Sequence, residues 1–262
     1  MNSIIIKTGS LLLASTLLIP FTHKVDAAAN QYEVKVYVDS EKVIKDNRHI
    51  DHSILESLGS EDKDKDFNVQ YIDDSKRSNF SNQVTYRIRK SEENKKHELQ
   101  YKKRYPIDSG NVDSAIEKAK KDGFTGDAYE VEYGENKQTL SVTKEADKNL
   151  GINKLALPNA KESLDLLKDQ ASTPFDRLLK PIDKATIIGP VHFERHKGNI
   201  DGHKIKIENW DIGEQNVVEV SAKVNTEADA KTVQQAVVNK LDELGIHEKE
   251  DKLKTNMIFD KY

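Results

Sequence analysis

The sequence contains no cysteine. That absence excludes a disulfide scaffold, a thiol nucleophile, an iron–sulfur or cysteine-ligated zinc centre, and a lipid-modified cysteine anchor. Proline is scarce, 6 in 262 residues, and forms no linker. P-loop, GxGxxG and HExxH patterns are missing, as is any Ser/His/Asp motif. The single tryptophan, Trp210, has no aromatic neighbours at carbohydrate-platform spacing and reads as core or rim. Neither sign of charge is in excess: 41 Lys+Arg stand against 45 Asp+Glu, a formal net charge of −4. That balance argues against a broad nucleic-acid-binding surface.

Long apolar runs are equally rare. The one that stands out is N-terminal, with Ile4–Ile6, Lys7 and the run Leu11–Ile19, followed by the small residues Ala27–Ala29. It is too short and interrupted for a membrane span and fits a secretory h-region. The expectation is a signal peptide over residues 1–29 and a secreted domain over residues 30–262, with no membrane association once the signal is removed.

What the chain does have is strand periodicity. Polar and apolar residues alternate over Tyr32–Val38, and similar alternation recurs over Asn68–Ile72, Val84–Lys90, Glu98–Tyr105, Ala128–Tyr133, Thr139–Thr143, Ile187–Arg195, His203–Glu208 and Val217–Val224. Turn residues separate them at Gly134–Asn136, Gly198–Gly202 and Gly213–Gln215. Helices are expected at Val112–Lys121, at Asn159–Leu167 with Asn159 as N-cap, and at Thr226–Leu244, where Thr226 caps and Gly245 stops. The charged run Glu61–Asp66 reads as a solvated loop. Eight or nine meandering strands suggest an antiparallel sheet that curls or closes.

Strand parity sorts the charges. Arg87 and Arg89 share one face opposite Tyr86, Ile88 and Lys90; Gln100, Lys102 and Arg104 share a face opposite Leu99, Tyr101, Lys103 and Tyr105; Gln31, Glu33 and Lys35 share a face opposite Tyr32, Val34 and Val36. Like charges on one face disfavour an exposed sheet. Turned inward, two cations ~6 Å apart repel by ~3 kcal/mol at an effective dielectric near 20. Such a lining needs counter-charges, either lumenal carboxylates or a bound polyanion on which arginines fork.

These segments resemble the CYTH superfamily, the triphosphate tunnel metalloenzymes. Gln31-Tyr32-Glu33-Val34-Lys35 resembles its ExExK opening strand, Val69–Asp74 its second strand, and Val84–Arg89 its RxR strand. Leu99–Arg104 is similar to its lysine-bearing strand, Phe193–Arg195 to its KxR strand, and Val217–Ser221 to its late ExE strand. The resemblance implies an α+β fold, an eight-stranded antiparallel tunnel barrel with helices outside. It also implies a metal-dependent phosphohydrolase acting on triphosphate or polyphosphate substrates. On that reading Lys35, Arg87, Arg89, Lys102, Arg104 and Arg195 bind phosphate. Glu33 and Glu219 serve catalysis and ligate Mg²⁺ or Mn²⁺, and Glu208 or Asp211 supplies a further ligand. The departures are Gln31 and Ser221 in carboxylate positions and Phe193 in a lysine position, which weaken a metal site. They favour the alternative of a non-catalytic polyanion-binding module.

Two further constellations remain open. Lys204 and Lys206 share a face and either line the tunnel or are solvated. His192 and His196, four apart on a strand, sit ~13 Å from each other and cannot chelate one ion directly; pairing of either with His203 across the hairpin is the remaining zinc arrangement.

Overall fold

The structure, a computed structural model, describes residue 29 and residues 31–45, 48–61, 65–152 and 154–262. The segment expected to be a signal peptide lies, apart from Ala29, outside the described residues. In chain order the elements are β1 (Gln31–Val38), α1 (Ser40–Val43), α2 (His52–Ser57), β2 (Asp66–Asp73), α3 (Ser78–Ser81), β3 (Val84–Ser91), β4 (His97–Pro106), α4 (Val112–Lys121), β5 (Ala128–Tyr133) and β6 (Gln138–Lys148). There follow α5 (Ala160–Gln170), α6 (Phe175–Leu179), β7 (Thr186–Ile200), β8 (His203–Ile212), β9 (Gln215–Val224), α7 (Glu227–Glu243), β10 (His247–Glu248) and α8 (Lys254–Lys261). Among the described residues no helix is long and apolar enough to cross a membrane.

The strands run in the order β1-β5-β6-β4-β3-β2-β7-β8-β9, and β9 pairs back onto β1, which closes a barrel. The expected tunnel barrel is present, with two corrections. It has nine wall strands instead of eight, and β1 pairs parallel with β5, Gln31 opposite Glu130 and Glu33 opposite Glu132. The parallel pair arises because β5 and β6 form a hairpin inserted between β1 and β4, so β5 must run with β1 to stay antiparallel to β6.

Two apolar bodies hold the wall from either side. Outward-facing Val34, Val36, Ile88, Leu99, Val131, Leu140, Ile207 and Val220 pack beneath the helices. Tyr86 and Tyr101 on that face donate hydrogen bonds to the carbonyls of Phe175 (3.1 Å) and Leu167 (2.9 Å), which satisfies their hydroxyls where the chain leaves α5 and enters α6. Asn159 and Glu162 form a reciprocal cap on α5, and the Thr226 hydroxyl accepts the Asp229 amide at the start of α7, as their sequence signatures predict.

The second apolar body is inside the barrel. Phe67, Val69, Val191, Phe193, Trp210 and Val217 project inward and meet Ile258 and Phe259 of α8, which fills that part of the lumen. The rings of Phe67, Phe193 and Trp210 stack on adjacent strands at 4.6 and 4.0 Å between centroids. Trp210 is therefore core. Phe193, where a tunnel lysine was looked for, is the middle of this stack. The expectation of a wholly charged interior holds for one part of the lumen only.

The β7–β8 hairpin is longer than its alternation implied. Its turn is Asp201-Gly202, both at positive φ (50° and 83°), the conformation a tight two-residue hairpin needs. Gly198 lies within the strand because a Cβ there would sit 2.5 Å from the Leu58 carbonyl oxygen.

Candidate functional site

The polar part of the lumen collects every cation that strand parity sent inward. Lys35 Nζ lies 3.2 Å from Glu33 and 3.5 Å from Glu132. Lys102 Nζ lies 2.9 Å from Glu132 and 3.8 Å from Glu130. Arg104 Nε lies 3.4 Å from Glu132, whose carboxylate also accepts the Ser141 hydroxyl at 2.7 Å. Glu132 is thus the common counter-ion of three cations, and Lys102, Arg104 and Lys35 hold its carboxyl well below the usual range despite burial. Burial likewise opposes the ionisation of Glu33, but Lys35, then Lys223 and Lys102, outweigh it and hold the carboxyl at about 2.

A second group gathers guanidiniums. Arg195 Nε donates to Glu208 at 2.7 Å and stands 4.5 Å over the Phe67 ring; Arg89, 5.4 Å over the same ring, donates to Glu98 at 2.7 Å. Burial, then Arg87 and Arg195, lower the affinity of Arg89 for its proton. Arg87 Nε is buried with no hydrogen-bond acceptor. Lys206 shares the inward face of β8 with Glu208, and burial and Arg195 lower its affinity for a proton. Cations here outnumber the anions that face them.

Two tyrosines report the resulting field. Burial alone would raise the Tyr71 phenol, yet Arg87, Arg104, a side-chain hydrogen bond with Thr255 and Lys254 together lower it. Tyr37 goes the other way, pushed up by burial and then by Glu219. The lumen therefore has a positive region, carried by Arg87 and Arg89 of β3, Lys102 and Arg104 of β4 and Arg195 of β7, and an acidic patch on β8 and β9.

That patch is Glu208 and Glu219, directly opposite each other on β8 and β9 and both buried. Between them sits Lys254 Nζ, 3.5 Å from Glu208 and 3.1 Å from Glu219, and 4.3 Å over the Trp210 ring. Glu219 Oε2 has no hydrogen-bond partner. Two buried facing carboxylates with a spare oxygen suit a hard divalent cation, and the ammonium of Lys254 takes the same place between them. A cavity of about 520 Å³, lined by Lys35, Tyr37, Arg104, Glu132, Lys137 and Lys254, reaches this region from one end of the barrel.

Two expectations need adjusting. Asp211 points outward, where it pairs with Arg48, so Glu208 alone is the lumenal acid of β8. Glu33 and Glu219 are not directly opposite each other: Glu219 is in register with Tyr37 on β1, four residues from Glu33, a backbone separation of ~13 Å along the strand. Gln31, in a carboxylate position, accepts from Lys223 at 3.2 Å. The important residues that sequence reasoning missed are Glu130, Glu132 and Lys254. The first two form an inward ExE pair on β5, a pattern visible in the sequence as Glu130-Val131-Glu132. Lys254 carries no local signal, because only the docking of α8 brings it into the lumen.

These depressed carboxylates carry a pH dependence. Glu33 is held at about 2 against an ordinary 4.5, and Glu132 lies well below its own. Their contribution to stability is complete above about pH 4.5 and is lost as pH falls toward 2. The melting temperature is expected to hold steady from pH 7 to 5 and to fall steeply between pH 4.5 and 3. A flat profile across that interval would contradict the ion-pair network.

No family model matches the sequence, and no curated protein does. Solved structures do share the fold. A Hippeastrum protein described as an adenylyl cyclase candidate that reveals a dominant triphosphatase activity aligns over 87% of this chain and 94% of its own, with 12% identity and a TM-score of 0.51. A Pyrococcus horikoshii protein, PH1819, aligns over 88% and 99% at 15% identity with a TM-score of 0.46. A Bacillus halodurans protein described as an adenylate cyclase candidate aligns over 86% and 98% at 16% identity with a TM-score of 0.45. The fold is CYTH-like, a tunnel barrel with its helices outside.

Proposed function

We propose that this protein is an exported phosphohydrolase that takes a triphosphate or polyphosphate chain into the lumen and cleaves a phosphoanhydride bond with a divalent metal. One observation carries the reading: the half-buried Arg87, whose Nε is buried with no acceptor, stands beside Arg89 on β3 in a lumen to which Arg195 and Lys206 add further positive charge. Guanidiniums held this way bind phosphate oxygens through paired N–H donors. Arg87, Arg89 and Arg195 would grip one end of the anion, and Lys35, Lys102 and Arg104 would neutralise the rest. Glu208 and Glu219 would hold Mg²⁺ or Mn²⁺ once Lys254 withdraws, and such an ion supplies charge neutralisation and an activated water. The apolar run Leu11–Ile19 supports export, and the triphosphatase activity described for the Hippeastrum protein supports the substrate class.

A second reading is favoured by Lys254 itself. An ammonium already balances Glu208 and Glu219, so the lumen is electrostatically complete without a metal. In that case the protein captures polyanions and turns nothing over.

Phosphate release from tripolyphosphate and from ATP, with Mg²⁺ or Mn²⁺, separates the two. The hydrolase reading expects release that falls by about 100-fold or more in Glu219→Gln, a loss of the size seen when a group stabilising transition-state charge is removed. An Asp165→Ala control on the exposed face of α5 is expected to be unchanged. Binding without release under either metal would leave only the capture reading.

A further inference from the structure

The outer wall of the barrel carries a second cluster, unconnected to the lumen. Asp66 opens β2 and lies directly opposite Glu194 on β7; His192 lies two residues before Glu194 on the same outward face. One ligand atom from each of the three lies within 4.8 Å of the others. This is a compact N/O donor set built on paired strands, not on a loop.

The hydrogen bonding around His192 is that of a ligand. Asn68, opposite His192 in the β2–β7 ladder, donates through Nδ2 to the Leu155 carbonyl at 3.0 Å. Its Oδ1 is therefore an acceptor, and it faces His192 Nδ1 at 3.1 Å. The proton of a neutral His192 must then sit on Nδ1, which leaves the Nε2 lone pair facing Asp66 Oδ1 at 3.2 Å. A lone pair and a carboxylate oxygen at that distance repel unless a cation lies between them or a second proton sits on the ring. Donation of the other ring N–H to an amide or carboxylate oxygen is the usual way a ligating histidine is held. Bonds of 2.0–2.1 Å to a tetrahedral Zn²⁺ put its ligand atoms ~3.3 Å apart, close to this spacing.

The third donor provides the independent sign. Glu194 is 5% exposed, and while its Oε1 contacts His49 Nδ1, its Oε2 is buried with no hydrogen-bond partner. A buried carboxylate oxygen without a donor costs free energy unless something binds it. His49 is thereby a fourth donor adjacent to the set.

We propose that Asp66, His192 and Glu194 form a divalent transition-metal site on the outer wall, with Zn²⁺ as the ion the donors suit. Imidazole nitrogen with carboxylate oxygen favours Zn²⁺ over Mg²⁺ or Ca²⁺, which prefer all-oxygen shells. Two carboxylates and neutral imidazole match the charge of one Zn²⁺. The ion would tie the start of β2 to β7 beside the loop that carries His49.

Zn²⁺ titration of the tag-free, metal-stripped protein, followed by calorimetry and by melting temperature, tests this. One Zn²⁺ per chain is expected, with a rise in melting temperature. His192→Gln and Asp66→Asn should abolish both effects, and Asn68→Leu should weaken binding by about 10–100-fold as a positioning residue. Glu219→Gln should leave Zn²⁺ binding intact, which separates this site from the lumenal carboxylates. His192 is partly exposed, so its variant is expected to fold, and circular dichroism checks that. No stoichiometric binding, or equal binding in wild type and His192→Gln, would overturn the proposal and leave an imidazolium–carboxylate pair in its place.

Discussion

The double variant Arg87→Ala, Arg89→Ala is expected to lose tripolyphosphate affinity by about 10²–10⁴-fold, and Arg87→Ala alone to melt no lower than wild type. The affinity loss follows from two guanidiniums, each making charged hydrogen bonds of about 1.5–3 kcal/mol to the anion. The stability result is the more diagnostic half. Arg87 Nε has no acceptor, and the proximity of Arg87 and Arg195 makes Arg89 easier to deprotonate than an ordinary guanidinium. Removing Arg87 relieves repulsion, whereas removing Arg89 also strips Glu98 of its partner, so the stability comparison belongs to Arg87→Ala. Isothermal titration with tripolyphosphate and thermal melts of both variants measure both halves. A variant that binds as well as wild type would remove the guanidinium group from the site. One that binds weakly only because it melts earlier would make the arginines structural.

The opposite behaviour is expected of Glu132→Gln. Glu132 lies 2.9 Å from Lys102, 3.4 Å from Arg104 and 3.5 Å from Lys35. Removing the carboxylate from a partly buried set of this kind leaves uncompensated charge, and such losses run at about 3–5 kcal/mol. An anion supplied from solution should then take over its role. Tripolyphosphate at 100 times its dissociation constant adds about 2.7 kcal/mol to the folded state of any binder. Because Arg104 is freed and Lys35 and Lys102 keep only Glu33 and Glu130, the variant should bind it about tenfold or more tighter than wild type. Urea unfolding with and without tripolyphosphate gives both numbers. If Glu132→Gln is destabilised but tripolyphosphate does not restore it, the three cations serve Glu132 and not a ligand.

The strand parity of Arg87–Arg89, Lys102–Arg104 and Glu33–Lys35 was enough to place those side chains inside the barrel, because a period of two admits only two faces and the other face was apolar. Parity also separates Glu208 from Asp211 once the phase of β8 is known, and that phase is set by Ile205 and Ile207 packing outward. What local pattern does not carry is pairing. The parallel β1–β5 contact that brings Glu132 to Lys35 joins segments about a hundred residues apart. The insertion of Lys254 depends on α8 docking through Ile258 and Phe259 into an aromatic interior that no alternation announces. Asp66 read as the end of a charged loop, and its partners His192 and Glu194 come from the opposite end of the domain sequence. The cations of the lumen were therefore legible, as were Glu33, Glu208 and Glu219, while the counter-charges Glu130 and Glu132 and the ammonium of Lys254 were not.

That difference sharpens the reading of the overall charge. A chain close to neutrality conceals a lumen whose positive side is compensated only in part, by Glu132, Glu98 and Glu208. Direct calorimetric titration of wild-type protein with tripolyphosphate in the absence of metal tests this most simply. The account predicts saturable one-to-one binding that weakens steeply as salt is raised and is lost in Arg87→Ala, Arg89→Ala. No heat of binding, or binding that survives the double substitution, would contradict it.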